Sequence, residues 1–195
     1  MKTTPNSFVI ANSNKCIGCK VCEVACFTVH NKNNNVGATV GTVTTPIIPR
    51  LNVIKGEKFA MPIQCRQCDD APCANVCPVR AIKQENNTIV VDEKACIGCK
   101  TCLMACPFGA IDLLPEYNNG QEVIQISLQQ EGENGLEDKG KSIAYKCDLC
   151  KKSGKPACVD ACPQKALTLV NPVTAKKSRN RAAAASLLQT VKNYK

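Results

Sequence analysis

Sixteen cysteines fall into four groups of four: Cys16, Cys19, Cys22, Cys26; Cys65, Cys68, Cys73, Cys77; Cys96, Cys99, Cys102, Cys106; and Cys147, Cys150, Cys158, Cys162, with none left over. The first and third read C-x2-C-x2-C-x3-C, while the second and fourth keep the opening C-x2-C and closing C-x3-C but lengthen the middle gap. Thiolates two residues apart let one loop wrap one face of an iron-sulfur cube, whose fourth corner a distant cysteine must close. Structural zinc wants four tetrahedral ligands, usually two C-x2-C knuckles set apart by a loop, and three cysteines within seven residues suit it poorly. Disulfides call for an oxidising compartment, yet Met1 to Lys15 offers only the short apolar run Phe8 to Ala11 and no cleavage site. The expected cofactors are four [4Fe-4S] clusters, and their expected chemistry is one-electron transfer in the cytoplasm.

The spacing resembles the bacterial ferredoxin run, in which the fourth Cys of each run ligates the other cluster, so the quartets work in pairs. Pro78, Pro107 and Pro163 follow the last Cys of three quartets, while Phe27 replaces Pro in the first and leaves its exit turn open. Gly18 and Gly98 supply backbone angles that other residues avoid beside a cluster. Only 18 residues, Pro78 to Ala95, join quartets two and three. Ala81 to Lys83, a polar Gln84 to Asn87 turn and Thr88 to Val91 read there as a hairpin. Quartets two and three then form one two-cluster module, and by elimination one and four form another around it. The expected ligand sets are Cys65, Cys68, Cys73 with Cys106; Cys96, Cys99, Cys102 with Cys77; Cys16, Cys19, Cys22 with Cys162; and Cys147, Cys150, Cys158 with Cys26. Crossed pairing, first with second and third with fourth, stays open at this point.

Short apolar β-prone runs flank the loops: Phe8 to Ile10, Thr88 to Val91, Ala110 to Leu114 and Ala166 to Val170. The fold class is therefore α+β: two ferredoxin-like modules, one inserted in the other, with short strands and helices about a cofactor-organised core, plus a C-terminal helix. Residues 1–30 and 140–172 make the outer module and 60–115 the inner one; 31–59 and 116–139 are connectors, and 173–195 is a basic helix. The first connector holds Asn31 to Asn35, a Thr/Gly stretch and a strand-like Leu51 to Ile54. In the second, Val123, Ile126 and Leu128 alternate like an edge strand. The helix is capped by Thr174 and carries a stripe of Ala184, Leu187, Leu188 and Val191. Such a helix is marginal alone, so it docks on another subunit or a second copy, or packs on its own body.

The chain has 195 residues, a net charge of +9 and no Trp. Without its cysteines, the core-forming fraction is roughly 36%, below the usual share, so a core of ordinary side chains is thin. Each oxidised cluster with its thiolates counts about −2, so four leave roughly +1, and the basic surplus is no argument for nucleic acid. Lys176, Lys177, Arg179, Arg181, Lys192 and Lys195 keep the tail basic, leaving it a weak polyanion or anionic surface as a possible contact. No RNP-type aromatic motif, recognition helix or apolar membrane span accompanies them. His30, the one histidine, reads as a surface or interfacial residue, and no catalytic residue is expected. Lys20, Arg66, Arg80 and Lys100 lie near the loops and could raise cluster potentials.

The stretches Lys15 to Lys20, Cys65 to Cys73 with Cys77-Pro78, Cys96 to Lys100 with Cys106 to Ala110, and Lys146 to Cys150 with Cys162-Pro163 resemble the four-cluster ferredoxin-like subunits of molybdopterin oxidoreductases and of formate hydrogenlyase. The resemblance spans about residues 7–171, including Pro49 to Leu51. Within that family the chain looks most like the small cytoplasmic subunit linking formate dehydrogenase to a hydrogenase, the arrangement also found in hydrogen-dependent CO2 reductase. It implies one partner with a bis-pterin molybdenum or tungsten cofactor and another with a hydrogenase centre or further iron-sulfur clusters. The nested pairing agrees with the fold of that family. A relay for a different molybdopterin reductase, and an accessory or filament-forming scaffold, are the alternatives.

Overall fold

The computed structural model describes residues 4–31, 45–132 and 135–193. The Asn-rich and Thr/Gly parts of the first connector, at 32–44, lie outside them, as do Lys195 and the side chains of Ile126, Leu128, Val191 and Lys192.

The two ends of the cysteine-bearing region meet in one ribbon. Strand β1 (Phe8–Ala11) pairs antiparallel with β12 (Leu167–Val170), Val9 opposite Leu169. Period-two alternation separates the buried Val9 from the exposed Ile10 on β1, while on β12 Leu167 is buried and Leu169, further along the same face, is exposed. Helix α1 (Val21–His30) follows quartet one and packs on α4 (Ala157–Asp160) of quartet four. The hairpin of β2 (Leu51–Lys55) and β3 (Ala60–Gln64) lays the buried Leu51 and Val53 against α1. Glu23 in the first turn of α1 ties them, its Oε1 accepting from the Val53 amide at 2.6 Å.

Between these ends in the chain come quartets two and three. Helix α2 (Pro72–Asn75) of quartet two packs on α3 (Thr101–Ala105) of quartet three. The polar turn expected from Gln84 to Asn87 is tighter than that. Strands β4 (Ile82–Glu85) and β5 (Thr88–Val91) are joined by Asn86 and Asn87 alone, both at positive φ, 48° and 61°. Two successive left-handed residues make the turn whose twist matches a hairpin, and Asn is among the few residues that tolerate it. Strand β6 (Asp112–Pro115) pairs with β11 (Ser142–Tyr145). The segment between them holds two ribbons, β7 (Tyr117–Asn118) with β8 (Gln121–Glu122), and β9 (Ile124–Gly132) with β10 (Gly135–Gly140).

Helix α5 (Pro172–Asn193) corrects the expected cap. Asn171 Oδ1 accepts from the Val173 and Thr174 amides at 3.0 and 3.3 Å, and Pro172 takes the first helical position, where a missing N–H costs nothing. Thr174 is already inside the helix. Every residue from Lys176 to Thr190 is exposed, so this stretch does not pack on its own body.

Among the described residues every sheet is two-stranded, and isolated ribbons are marginal in water. Cysteines supply much of the packing instead. One buried cluster joins Val9, Leu51, Val53 and Leu167 to Cys22, Cys26 and Cys158; another joins Ile82, Ile89, Ile111 and Ala144 to Cys73 and Cys102. A third, small cluster of Cys65, Ala110 and Cys147 lies where quartet two meets quartet four.

Gly98 shows how closely the loops approach the strands. Its φ is 68°, and an added Cβ would lie 2.5 Å from the Ser142 carbonyl oxygen on β11. Gly109 has φ 57° and open space at the same position. Gly98→Ala is therefore expected to cost more stability than Gly109→Ala, which bears only the left-handed penalty of about 1–2 kcal/mol. Urea denaturation of the two variants side by side measures the difference, and equal midpoints would refute the close approach.

Candidate metal centres

The three Pro-bearing quartets end in one local geometry. The residue four beyond the last Cys donates its amide to that sulfur: Ala81 to Cys77 at 3.2 Å, Ala110 to Cys106 at 3.4 Å and Ala166 to Cys162 at 3.3 Å. Pro after each Cys turns the chain out of its helix and frees that later amide. Quartet one does otherwise. With Phe27 in place of Pro, α1 runs through Cys26 and buries Phe27 at 3% exposure. The amide reaching Cys26 Sγ is instead that of Arg50, at 3.3 Å, from the segment leading into β2.

The longer helix delivers His30 to quartet four. Its Nε2 lies 2.9 Å from Asp148 Oδ1, and its Nδ1 lies 2.8 Å from the Cys26 carbonyl and 3.6 Å from Cys26 Sγ. Arg50 donates to Asp148 Oδ2 at 3.3 Å and to Glu93 Oε1 at 2.6 Å. Burial disfavours charge on His30, but the Asp148 hydrogen bond and the Cys26 sulfur outweigh it and raise its pKa to about 9. Burial also acts against the Asp148 carboxylate, and His30 and Arg50 still hold it well below the usual range. His30, read from sequence as an ordinary surface or interfacial residue, is a partly buried strap at the contact between quartets one and four.

The cysteines converge from distant parts of the chain. One cavity is lined by Cys16, Cys19, Cys22 and Cys162, and a second by Cys77, Cys96, Cys99 and Cys102. Elsewhere, burial raises Cys73 to about 11, with Lys146 pulling it down and the neighbouring Cys65 and Cys106 adding to the rise. Burial, with Cys26 and Cys150 adding to it, raises Cys158 to about 12. Cys22 rises to about 11 for the same first reason. Buried thiols crowded this way are costly as thiolates until a cation neutralises them, and iron supplies that charge. All sixteen are free of disulfides. Thiolate-only donors, enclosed space and amides aimed at the sulfurs suit [4Fe-4S] clusters, whose potentials respond to such hydrogen bonds.

The comparisons with known proteins agree with this geometry. Two models of a 4Fe-4S dicluster domain match residues 57–125 and 92–166, and a 4Fe-4S binding domain matches residues 13–27. The electron transport protein HydN of Escherichia coli (strain K12) is 39% identical over 183 residues, covering 91% of this chain and 98% of that one. Formate hydrogenlyase subunit 2 of the same organism is 38% identical over 181 residues, covering 85% and 82%. The chain belongs to the family of iron-sulfur electron-transfer subunits of the formate hydrogenlyase type. An iron-sulfur protein of Rhodospirillum rubrum, 37% identical over 172 residues, is a further relative. As a family member, the chain carries [4Fe-4S] clusters and transports electrons, on a ferredoxin-like α+β fold.

Of the basic residues expected near the loops, Arg66 is a strap, donating to the Val9 carbonyl at 3.1 Å, while Lys20, Arg80 and Lys100 are exposed. Buried polar groups that do meet the loops include Asn6, whose Nδ2 donates to the Gln67 carbonyl at 2.8 Å, and Gln67 and Lys146, each 1% exposed. Gln67 Nε2 donates to the Cys147 carbonyl at 2.7 Å, and its Oε1 accepts from the Ile89 amide at 2.7 Å. Lys146 Nζ donates to the same Cys147 carbonyl at 2.8 Å and to the Ile89 carbonyl. The four residues close a ring across the seam between quartets two and four. The one sequence signal for it was a lysine ending the apolar run Ile143 to Tyr145 directly before a cysteine.

Proposed function

We propose that this chain binds four [4Fe-4S] clusters and relays electrons in the cytoplasm between a large molybdopterin-type subunit, a formate dehydrogenase, and a hydrogenase or another iron-sulfur subunit. The supporting observation is the interleaving of the quartets: the cysteines lining each cavity are three from one quartet and the fourth from its nested partner. The ligand sets are Cys16, Cys19, Cys22 with Cys162; Cys96, Cys99, Cys102 with Cys77; Cys65, Cys68, Cys73 with Cys106; and Cys147, Cys150, Cys158 with Cys26. Cys65 and Cys106 lie in one packed cluster and Cys26 and Cys158 in another, which supports the last two sets. Residues 1–30 and 140–172 form the outer module and 60–115 the inner one. Pairing of β1 with β12 around the rest of the chain supports that division.

The loops at Cys19 and Cys99 offer contact surface. Cys19 and Cys99 are exposed, and Ile17 and Ile97 beside them are 62% and 52% exposed. Electrons enter and leave the relay there. Among the described residues no helix is long and apolar enough to cross a membrane. The formate assignment draws on the name of formate hydrogenlyase subunit 2.

A scaffold role is the second reading, favoured by α5, whose Leu187 and Leu188 are 67% and 65% exposed. A second copy meeting that helix would join relays end to end.

Anaerobic affinity purification from the native cytoplasm tests both, run on the full chain and on a chain lacking residues 173–195. A bis-pterin subunit eluting with a hydrogenase is the expected result. A different reductase, or none, overturns the formate assignment. Unchanged assembly size after truncation overturns self-association through α5.

A further inference from the structure

Lys146 is a charge without a carboxylate. Its side chain is 1% exposed, it donates only to the Ile89 and Cys147 carbonyls, and among the described residues no acid pairs with it. A buried ammonium held by carbonyls alone is expensive, by several kcal/mol, unless negative charge lies close by. The groups around it are cysteines. Its Nζ sits in the ring that joins the Cys147 carbonyl of quartet four to Gln67 of quartet two and to Ile89, which packs on Cys73, so the charge lies between the two quartets. Cys65 and Cys147 also pack together there, with Cys106 beside them.

We infer that Lys146 is the shared internal countercharge of the clusters held by Cys65, Cys68, Cys73 with Cys106 and by Cys147, Cys150, Cys158 with Cys26, raising the reduction potential of both. This rests on the four-cluster reading above. Reduction adds one electron to a cluster, with no bond formed or broken and no proton moved, so a nearby fixed positive charge stabilises the reduced form. A charge between two clusters acts on both at once. A positive charge at the seam, where quartets two and four meet, favours the electron on the clusters at either side of it. Lys146 is a positioning and tuning residue; it transfers nothing itself.

The test is potentiometric titration followed by electron paramagnetic resonance on the full chain, comparing the native protein with Lys146→Gln and Lys146→Met. Signals missing from Cys68→Ala and Cys150→Ala identify the seam clusters. Both lysine variants are expected to keep their iron. At a fixed ambient potential, the reduced-to-oxidised ratio of the seam clusters falls about tenfold, a drop of about 59 mV for a one-electron couple, and the other two hold. Unchanged potentials, an equal shift of all four clusters, or loss of iron in both variants would each overturn the proposal. So would an equal shift from Gln67→Met, which breaks the same ring without removing charge. Fewer than about 16 iron atoms in the native chain would sink the four-cluster reading itself, a separate failure.

Discussion

Cys26→Ala removes about four iron atoms per chain, and the Cys26→Ala, Cys158→Ala double variant removes no more than either single one. Both outcomes follow if Cys26 closes the cluster held by Cys147, Cys150 and Cys158, because a cluster can be lost only once. Cys26→Ala combined with Cys73→Ala is expected to remove about eight. Crossed pairing reverses the two results: Cys26 would then share a cluster with the quartet-two loop, and the Cys26, Cys73 double variant would lose about four. Iron analysis after anaerobic reconstitution reads the difference directly. The expected loss is large because Cys26 is 5% exposed among Val9, Leu51 and Cys158, where a missing thiolate leaves no route for water to replace it.

Phe27→Pro makes quartet one look more like the other three and is expected to damage the protein. Residue 27 lies inside α1, so proline removes an i→i−4 hydrogen bond and clashes with the carbonyl of the preceding turn, costing about 3 kcal/mol or more. The buried phenyl is lost as well, which adds about 1.5–3 kcal/mol. Against a total stability of about 5–15 kcal/mol, that is a large share. His30 would leave Asp148, and with it the strap from α1 to quartet four. Urea unfolding of the holoprotein measures the cost. A midpoint equal to that of the native chain would show that quartet one can take the same exit turn as the others, and that α1 is not needed as it stands.

Both predictions turn on the same contrast between what spacing specifies and what it leaves free. Metal-ligand spacing is a strong local signal, because three thiolates two residues apart have few other uses. The family, the cofactor type and the short-strand character of the flanks were therefore readable along the chain. So was the β4–β5 hairpin, although the tolerance of Asn for positive φ confines its turn to Asn86 and Asn87. The missing proline at Phe27 was visible too, but only as a departure. Its consequence depended on whether a helix had room to continue and on a donor 24 residues away, the Arg50 amide, to serve Cys26.

The residues that the sequence left unnoticed share one property: their roles depend on desolvation. Lys20, Arg66, Arg80 and Lys100 stood near cysteines in the sequence, but three of them are exposed and Arg66 serves as a strap. Lys146 and Gln67 looked no different from them, and they are the ones buried at a seam. Water screens a charge on the surface, and its absence in the interior lets the same charge act at full strength. The amino-acid order determined that this protein holds iron-sulfur clusters and moves electrons. Only the tertiary structure decided which polar groups lie beside them out of reach of water, because burial is a property of surfaces brought together and not of any one segment.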